Sequence, residues 1–271
     1  MKSSCRLEVL PGESVIEQVT NAQLYGFDGI GLPGRFLNRF LPELETVLSD
    51  LPIPPMSLSL GYASSLLHPL EAERRRCIDS LIGLMDICQR LQVRLLNVPP
   101  VLLQDNPVRT TDRGEYDSLN ARLDTLLIDQ LGALGDEARQ RGMVFLLEPV
   151  NRFESDYLHS IEHGAKLCAA VGHAAVGLTI DAFHMQLEEL DFEQAIRRSG
   201  SSIRHVHVAE NTRVEPGVGS LDLAAVFRGL RSIGYDQWIE VECRSLSGPA
   251  EKVLPESVNF LRSTWNHAGS K

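Results

Sequence analysis

The chain repeats one unit: a short run of β-branched and aliphatic residues follows a longer run with helical spacing, and a glycine sits between them. Gly26, Gly142, Gly172, Gly200 and Gly234 each fall just after a helix-like segment. A left-handed C-cap there suits a residue without a Cβ. The candidate strands lie at 6–10, 29–32, 55–60, 93–98, 144–148, 176–181, 203–208 and 238–242. Helical segments fall at 13–25, 41–48, 70–91, 116–141, 160–171, 192–199, 223–232 and 255–266. Leu81, Leu84, Met85 and Cys88, at three- and four-residue spacing, form a one-sided apolar stripe. Ser160 is placed to cap the helix that follows it.

Strands alternating with helices imply a parallel sheet joined by helical crossovers. Eight such units are explained more simply by a closed (β/α)₈ barrel than by an open doubly wound sheet. The lack of a GxGxxG motif after the first strand removes the commonest reason to prefer the latter. The α/β class and 271 residues fit a single TIM barrel domain spanning 1–271. The longest irregular stretch, 99–114, follows the fourth strand and belongs on the C-terminal face, where such barrels bind ligands.

Composition excludes several function classes. With 43% hydrophobic residues a core can form, but no run of about 18 apolar residues suggests a membrane span. The N-terminus meets Glu8 and Pro11 before any signal-like apolar run develops. A net charge of −10 opposes binding to phosphate backbones, so nucleic acid is not an expected partner. Five scattered cysteines with no CxxC pair argue against a disulfide framework and read as small buried apolar residues in a reducing compartment. A cytoplasmic protein with a small-molecule substrate is expected, and self-association is left open.

The chemistry concentrates where strands end. VFLLE ends at Glu148, VGLTID at Asp181 and WIEVE at Glu242, and IRHVHV carries His207 one residue from its end. A parallel barrel brings every strand C-terminus to one face, so these four side chains can meet despite their separation in sequence. Alternation agrees: Leu146 shares a face with Glu148, Thr179 with Asp181, and His205 with His207. Taken alone, a strand-end acid is often a helix N-cap or a solvated loop residue, and a lone histidine a structural one. Four at equivalent positions suggest one divalent cation: three carboxylates and an imidazole suit Mn²⁺, Mg²⁺, Co²⁺ or Zn²⁺. Without a cation, repulsion would drive at least one carboxylate to take up a proton. His205 and Glu240 lie two residues deeper, either supporting the ligands or replacing them if the register slips.

The segment Glu148-Pro149-Val150-Asn151-Arg152-Phe153-Glu154 resembles the E-x-x-N-R-x-E run of the xylose isomerase-like barrel superfamily, and within it the D-tagatose 3-epimerase and D-psicose 3-epimerase group. Asp181-Ala182-Phe183-His184-Met185-Gln186-Leu187-Glu188-Glu189 is similar to that group's D-T-F-H-M-N-I-E-E segment. His205-Val206-His207-Val208-Ala209-Glu210-Asn211-Thr212-Arg213 is similar to H-x-H-x-x-E-x-x-R, and Pro216-Gly217-Val218-Gly219 to the P-G-x-G that follows. The likeness covers about 144–242. It implies metal ligation by Glu148, Asp181, His207 and Glu242, with Mn²⁺ as the leading candidate. It also implies proton transfer by Glu148 and Glu242, and substrate contacts from Glu154, His184 and Arg213. The chain departs from the pattern at the end of the second strand, where Gly29-Ile30-Gly31-Leu32 stands in place of a run closing on an acid. Ala182 replaces a common Thr, and Cys243-Arg244 follows Glu242.

The expected activity is isomerisation or epimerisation of a ketose or related hydroxy-ketone. The cation polarises the carbonyl and stabilises the enediolate; one glutamate removes a C–H proton and the other returns one. Return to the opposite face of the same carbon epimerises, and return to the neighbouring carbon isomerises. Loss of a β-hydroxyl would instead dehydrate a keto-inositol or dehydroshikimate-like ring. Hydroxypyruvate isomerisation is a further rival. An endonuclease IV-like phosphodiesterase needs more histidine and acidic ligands than these strand ends offer. A non-catalytic sugar-binding barrel has no need of opposed carboxylates.

Overall fold

The computed structural model describes residues 1–103 and 113–269. Eight parallel strands close into a barrel in sequence order: β1 (Lys2–Arg6), β2 (Gly29–Pro33), β3 (Pro55–Ser59), β4 (Leu95–Val98), β5 (Val144–Leu147), β6 (Val176–Asp181), β7 (Ile203–Val208) and β8 (Trp238–Val241). Parallel pairing of β1 with β8 closes the ring. The helices are α1 (Val15–Leu24), α2 (Leu37–Val47), α3 (Glu71–Arg90), α4 (Arg113–Gln140), α5 (Ile161–Val171), α6 (Ala182–Glu188), α7 (Phe192–Ser199), α8 (Leu223–Ser232) and α9 (Ala250–His267). This is a single (β/α)₈ TIM barrel. Among the described residues no helix is long and apolar enough to cross a membrane.

Local chemistry sets the boundaries. Ser14, Ser160, Asp191 and Asp222 each accept a backbone N–H in the first turn of the helix they precede, satisfying donors that the helix itself leaves unpaired. Gly172 closes α5 in the left-handed conformation, with φ +62°. The predicted stripe of α3 is wholly inward: Leu81, Leu84, Met85 and Cys88 are all buried. All five cysteines are free and buried.

Four expectations need correction. The first strand is Lys2–Arg6, and the stretch read as a strand, 6–10, holds a 3₁₀ turn at Leu7–Val9. Ser3 and Ser4 are both fully buried: Ser4 points into the ring toward Glu240, and Ser3 bonds Asp28 on the other face of the strand. The second helix begins at Leu37, four residues early, and the last at Ala250, with Pro255 inside it rather than at its start. The stretch between the candidate strand at 176–181 and the candidate helix at 192–199, which carries no expected element, holds helix α6, with Asp181 as its N-cap. Of the predicted irregular stretch 99–114, residues Asp105, Asn106, Pro107 and Asp112 lie outside the described residues.

The hydrophobic core lies between the strands and the helix ring, with Phe145, Ile180, Val206, Val241 and Leu261 among its buried members. A separate small cluster, Met56, Leu95 and Leu146, packs with Val144 and Trp238. The interior also holds a fully buried polar layer, Ser4, Ser57, His205 and Glu240. The Ser57 hydroxyl donates to Glu240, and Ser4 Oγ lies 3.4 Å from Glu240 Oε2. Gly31 makes room for this layer: a Cβ there would overlap the Glu240 carboxylate.

Candidate metal centre and substrate cavity

Strand register assembles the quartet predicted from sequence. Asp181 pairs with His207 across β6 and β7, and His207 with Glu240 across β7 and β8. Glu148 and Glu242 each sit one residue past their strands, and their N–H groups still donate to Val98 and Val208 carbonyls. One ligand atom from each of Glu148, Asp181, His207 and Glu242 lies within 4.8 Å of the others, and all but Glu242 are buried. A second grouping, His205, His207 and Glu240, meets the same distance limit one layer deeper.

The carboxylates are oriented in a consistent way. Each has one oxygen held by a donor outside the cluster, and the other turned toward its partners and, in Asp181 and Glu242, toward Arg213. Asn97 Nδ2 donates to Glu148 Oε2 at 2.6 Å, the Phe183 N–H to Asp181 Oδ1 at 2.9 Å, and Arg6 Nη1 to Glu242 Oε1 at 2.5 Å. His207 Nδ1 stands 3.0 Å from Glu148 Oε1 and 3.3 Å from Glu242 Oε2. Asp181 therefore caps α6 with one oxygen and turns the other toward the cluster. The donor set of three carboxylate oxygens and one imidazole nitrogen, each with an outer partner, fits a divalent cation.

Charge in the cluster is balanced by arginine. Arg213 Nη1 lies 2.5 Å from Asp181 Oδ2, and its Nη2 lies 2.6 Å from Glu242 Oε2. Burial alone would raise the Glu242 carboxyl, but His207, Arg6 and Arg213 overcome it and hold the group well below the ordinary carboxylate range. Burial likewise opposes charge on His207, and Glu242 and Glu148 reverse that, pushing its imidazole well above its usual value. Glu240 also resists burial, through His205 and the charges of His207 and Arg6, and is lowered to about 2. Burial wins at His205, whose pKa falls.

The residues expected to touch substrate line one cavity of about 250 Å³ above this cluster: Glu154, His184 and Arg213, together with Glu148 and Glu242. His184 comes from α6 rather than a loop. Its Nδ1 faces Asn151 Nδ2 at 2.7 Å and its Nε2 faces Asp181 Oδ2 at 3.5 Å. Glu154 lies 3.5 Å from Arg244. Arg213 is held in the left-handed region, with φ +63°, while it spans Asp181 and Glu242.

Sequence reasoning missed Arg6 and Asn97. Arg6 was placed at the start of its strand; it stands at the end, lines the cavity and is buried. The signal was a charged residue closing a short run of small polar residues. Several motif residues hold architecture together. Arg152 binds Glu188 through its backbone N–H at 2.8 Å and its Nη2 at 2.8 Å, joining the loop after β5 to α6. Buried Glu210 accepts the N–H groups of Gly217 and Leu221, folding the segment after β7 back on itself.

A family model described as a xylose isomerase-like TIM barrel matches residues 19–264. The 3-dehydro-D-guloside 4-epimerase of Escherichia coli K12 is 24% identical over 266 residues, covering 97% of this chain and all of that one. The L-ribulose 3-epimerase of Mesorhizobium japonicum is 33% identical over 135 residues, covering 50% of this chain and 45% of that one. Among solved structures, D-psicose 3-epimerase with D-tagatose from Clostridium cellulolyticum superposes with a TM-score of 0.81 at 19% identity, over 98% of this chain and 99% of that one. That last likeness concerns the fold.

Proposed function

The chain belongs to the xylose isomerase-like TIM barrel family, and on that premise we propose that it is a metal-dependent isomerase or epimerase of a sugar hydroxy-ketone. Relatives named for a ribulose and a guloside support the sugar class. The observation that carries the reading is the convergence of Glu148, Asp181, His207 and Glu242 within 4.8 Å. Beside it stands the outward oxygen of each carboxylate, fixed by Asn97, the Phe183 N–H or Arg6.

These four residues would hold one divalent cation, with Mn²⁺ ahead of Mg²⁺, Co²⁺ or Zn²⁺. When bound, the cation supplies Lewis-acid polarisation of the substrate carbonyl and stabilises the enediolate charge. Glu148 and Glu242 are the proton-transfer pair: both line the cavity, and Asn97 or Arg6 pins one oxygen of each, which fixes the carboxylate plane. Arg213 spans Asp181 and Glu242 at the cavity wall. With a cation balancing those carboxylates, its guanidinium is free to bond substrate oxygens. His184 and Glu154 bond substrate hydroxyls from the same wall.

The test is solvent deuterium incorporation into a panel of ketoses, read by NMR with Mn²⁺ added. Metal-dependent exchange at a carbon next to the carbonyl is expected. It should be lost in Glu148→Gln and in Glu242→Gln, with folding retained by circular dichroism. Exchange unchanged after exhaustive chelation, or retained in both variants, defeats the assignment.

A further inference from the structure

A second cavity adjoins the one above the carboxylate cluster. Arg35, Leu60 and Leu102 line both, and the second, of about 390 Å³, is walled further by Asn38, Gly61 and Tyr62 and, from α2 and α3, by Leu37, Leu84 and Ile87. These residues come from the segments after β2, β3 and β4, in the half of the chain where the motif resemblance is weak. The other arginines of the first cavity each face a carboxylate: Arg6 on Glu242, Arg213 on Asp181 and Arg244 on Glu154. Arg35 is exposed and, among the described residues, has no such partner.

Two backbone features shape the partition. Leu60, a branched aliphatic residue, is held at φ +65°, a strained conformation of the kind that clusters at ligand sites. Gly34 and Gly61 pass so closely that a Cβ on Gly34 would overlap the Leu60 carbonyl, and one on Gly61 the Gly34 backbone. The loops after β2 and β3 can approach this way only with glycine at both positions.

A planar guanidinium presents parallel N–H donors that match two neighbouring oxygens. The Asn38 amide adds a donor and an acceptor. Polar donors beside aliphatic side chains suit a sugar ring, which offers hydroxyls at its edge and C–H groups on its face. The first cavity alone falls below the roughly 300–1,000 Å³ of usual ligand pockets, and the two together exceed what one monosaccharide needs. Resting on the reading above, we infer that the substrate is a keto sugar carrying a second sugar in glycosidic linkage. The keto unit sits over Glu148 and Glu242, and the second ring lies in the compartment beyond Arg35.

The test compares D-fructose with ketose disaccharides of different linkage, lactulose, turanose and isomaltulose, on the Mn²⁺-loaded protein. Deuterium exchange gives kcat/KM, and saturation-transfer NMR gives binding. At least one disaccharide should exceed D-fructose tenfold or more. Asn38→Trp, which fills the second compartment from an exposed helix position, should cut that ratio at least tenfold, and Arg35→Ala should cut it in the same direction. D-fructose equalling every disaccharide, or a ratio untouched by Asn38→Trp, overturns the inference. So does a preference for D-fructose 6-phosphate that disappears in Arg35→Ala, which would make the extra group an anion. If no sugar exchanges, the activity assignment fails by itself. Binding then still decides: disaccharides retained by the wild type and displaced in Asn38→Trp support the compartment, and equal binding by both proteins refutes it.

Discussion

Arg6 Nη1 lies 2.5 Å from Glu242 Oε1, on the carboxylate oxygen away from His207, while the same guanidinium reaches Glu8 at 3.0 Å. The first strand thus delivers a buried cation to the last one and fixes which Glu242 oxygen faces the cluster. Arg6→Gln should weaken divalent-metal affinity by about 10–100-fold, the usual effect of removing a residue that orients a ligand. Arg6→Lys should recover part of the loss, because a point charge restores attraction but not the fork geometry. Titration of the chelated apoprotein with Mn²⁺ measures both. Equal affinity in wild type and Arg6→Gln would show that Arg6 does not position Glu242.

Metal uptake should expel a proton. In the metal-free protein the imidazole of His207 has its pKa raised well above the usual 6.5 by Glu242 and Glu148, so it is charged at neutral pH. A histidine ligand must be neutral. Calorimetric titration at pH 7 in two buffers of different ionisation enthalpy should therefore give about one proton released per ion bound. Below neutrality the apparent affinity should fall about tenfold per pH unit. A proton count near zero would mean that His207 is not the group displaced.

Much of this site is legible in the sequence because a parallel barrel converts strand ends into neighbours. Glu148, Asp181, His207 and Glu242 needed only strand assignment and parity. Arg6 needed the correct end of β1, and Ser4 concealed it, since a small polar residue fits the inner face of a strand only when the inside of the ring is polar. Asn97 was invisible for a different reason. Its contact with Glu148 depends on the stagger between β4 and β5, which pairs Asn97 with Leu146, and no local pattern encodes that. Helix α6 was missed because it is only seven residues long, too short for a periodicity to develop. The second compartment is set by how closely two loops pass, a tertiary property of Gly34 and Gly61.

The buried layer below the cluster should behave as one unit. A Cβ at position 31 would overlap the Glu240 carboxylate, so Gly31→Ala should destabilise by about 1–3 kcal/mol through overpacking. Glu240→Ala removes the obstacle but also strips His205 and Arg6 of a carboxylate at 3.4 Å and 4.0 Å. The two costs should then combine less than additively, with a coupling of about 1 kcal/mol or more in urea unfolding. Additivity within about 0.5 kcal/mol would place residue 31 out of contact with Glu240.

The metal-free protein should be most stable over a narrow acidic window. The lowered carboxyls, Glu240 at about 2 and Glu242 well below its usual 4.5, add stability above about 4.5 and lose it as pH falls through their folded values. The raised His207 acts in the opposite sense. Its contribution is complete below its unfolded value near 6.5 and is lost as pH rises through the higher folded value. Both contributions are complete together only between about 4.5 and 6.5. The melting temperature of chelated protein should therefore peak there and decline toward alkaline pH. Saturating Mn²⁺ should remove the alkaline decline, because the bound ion replaces the imidazolium as the charge facing three carboxylates. Differential scanning calorimetry across pH 4 to 9, with and without Mn²⁺, measures this; a chelated protein whose melting temperature keeps rising to pH 8 would contradict the ionic balance described for His207.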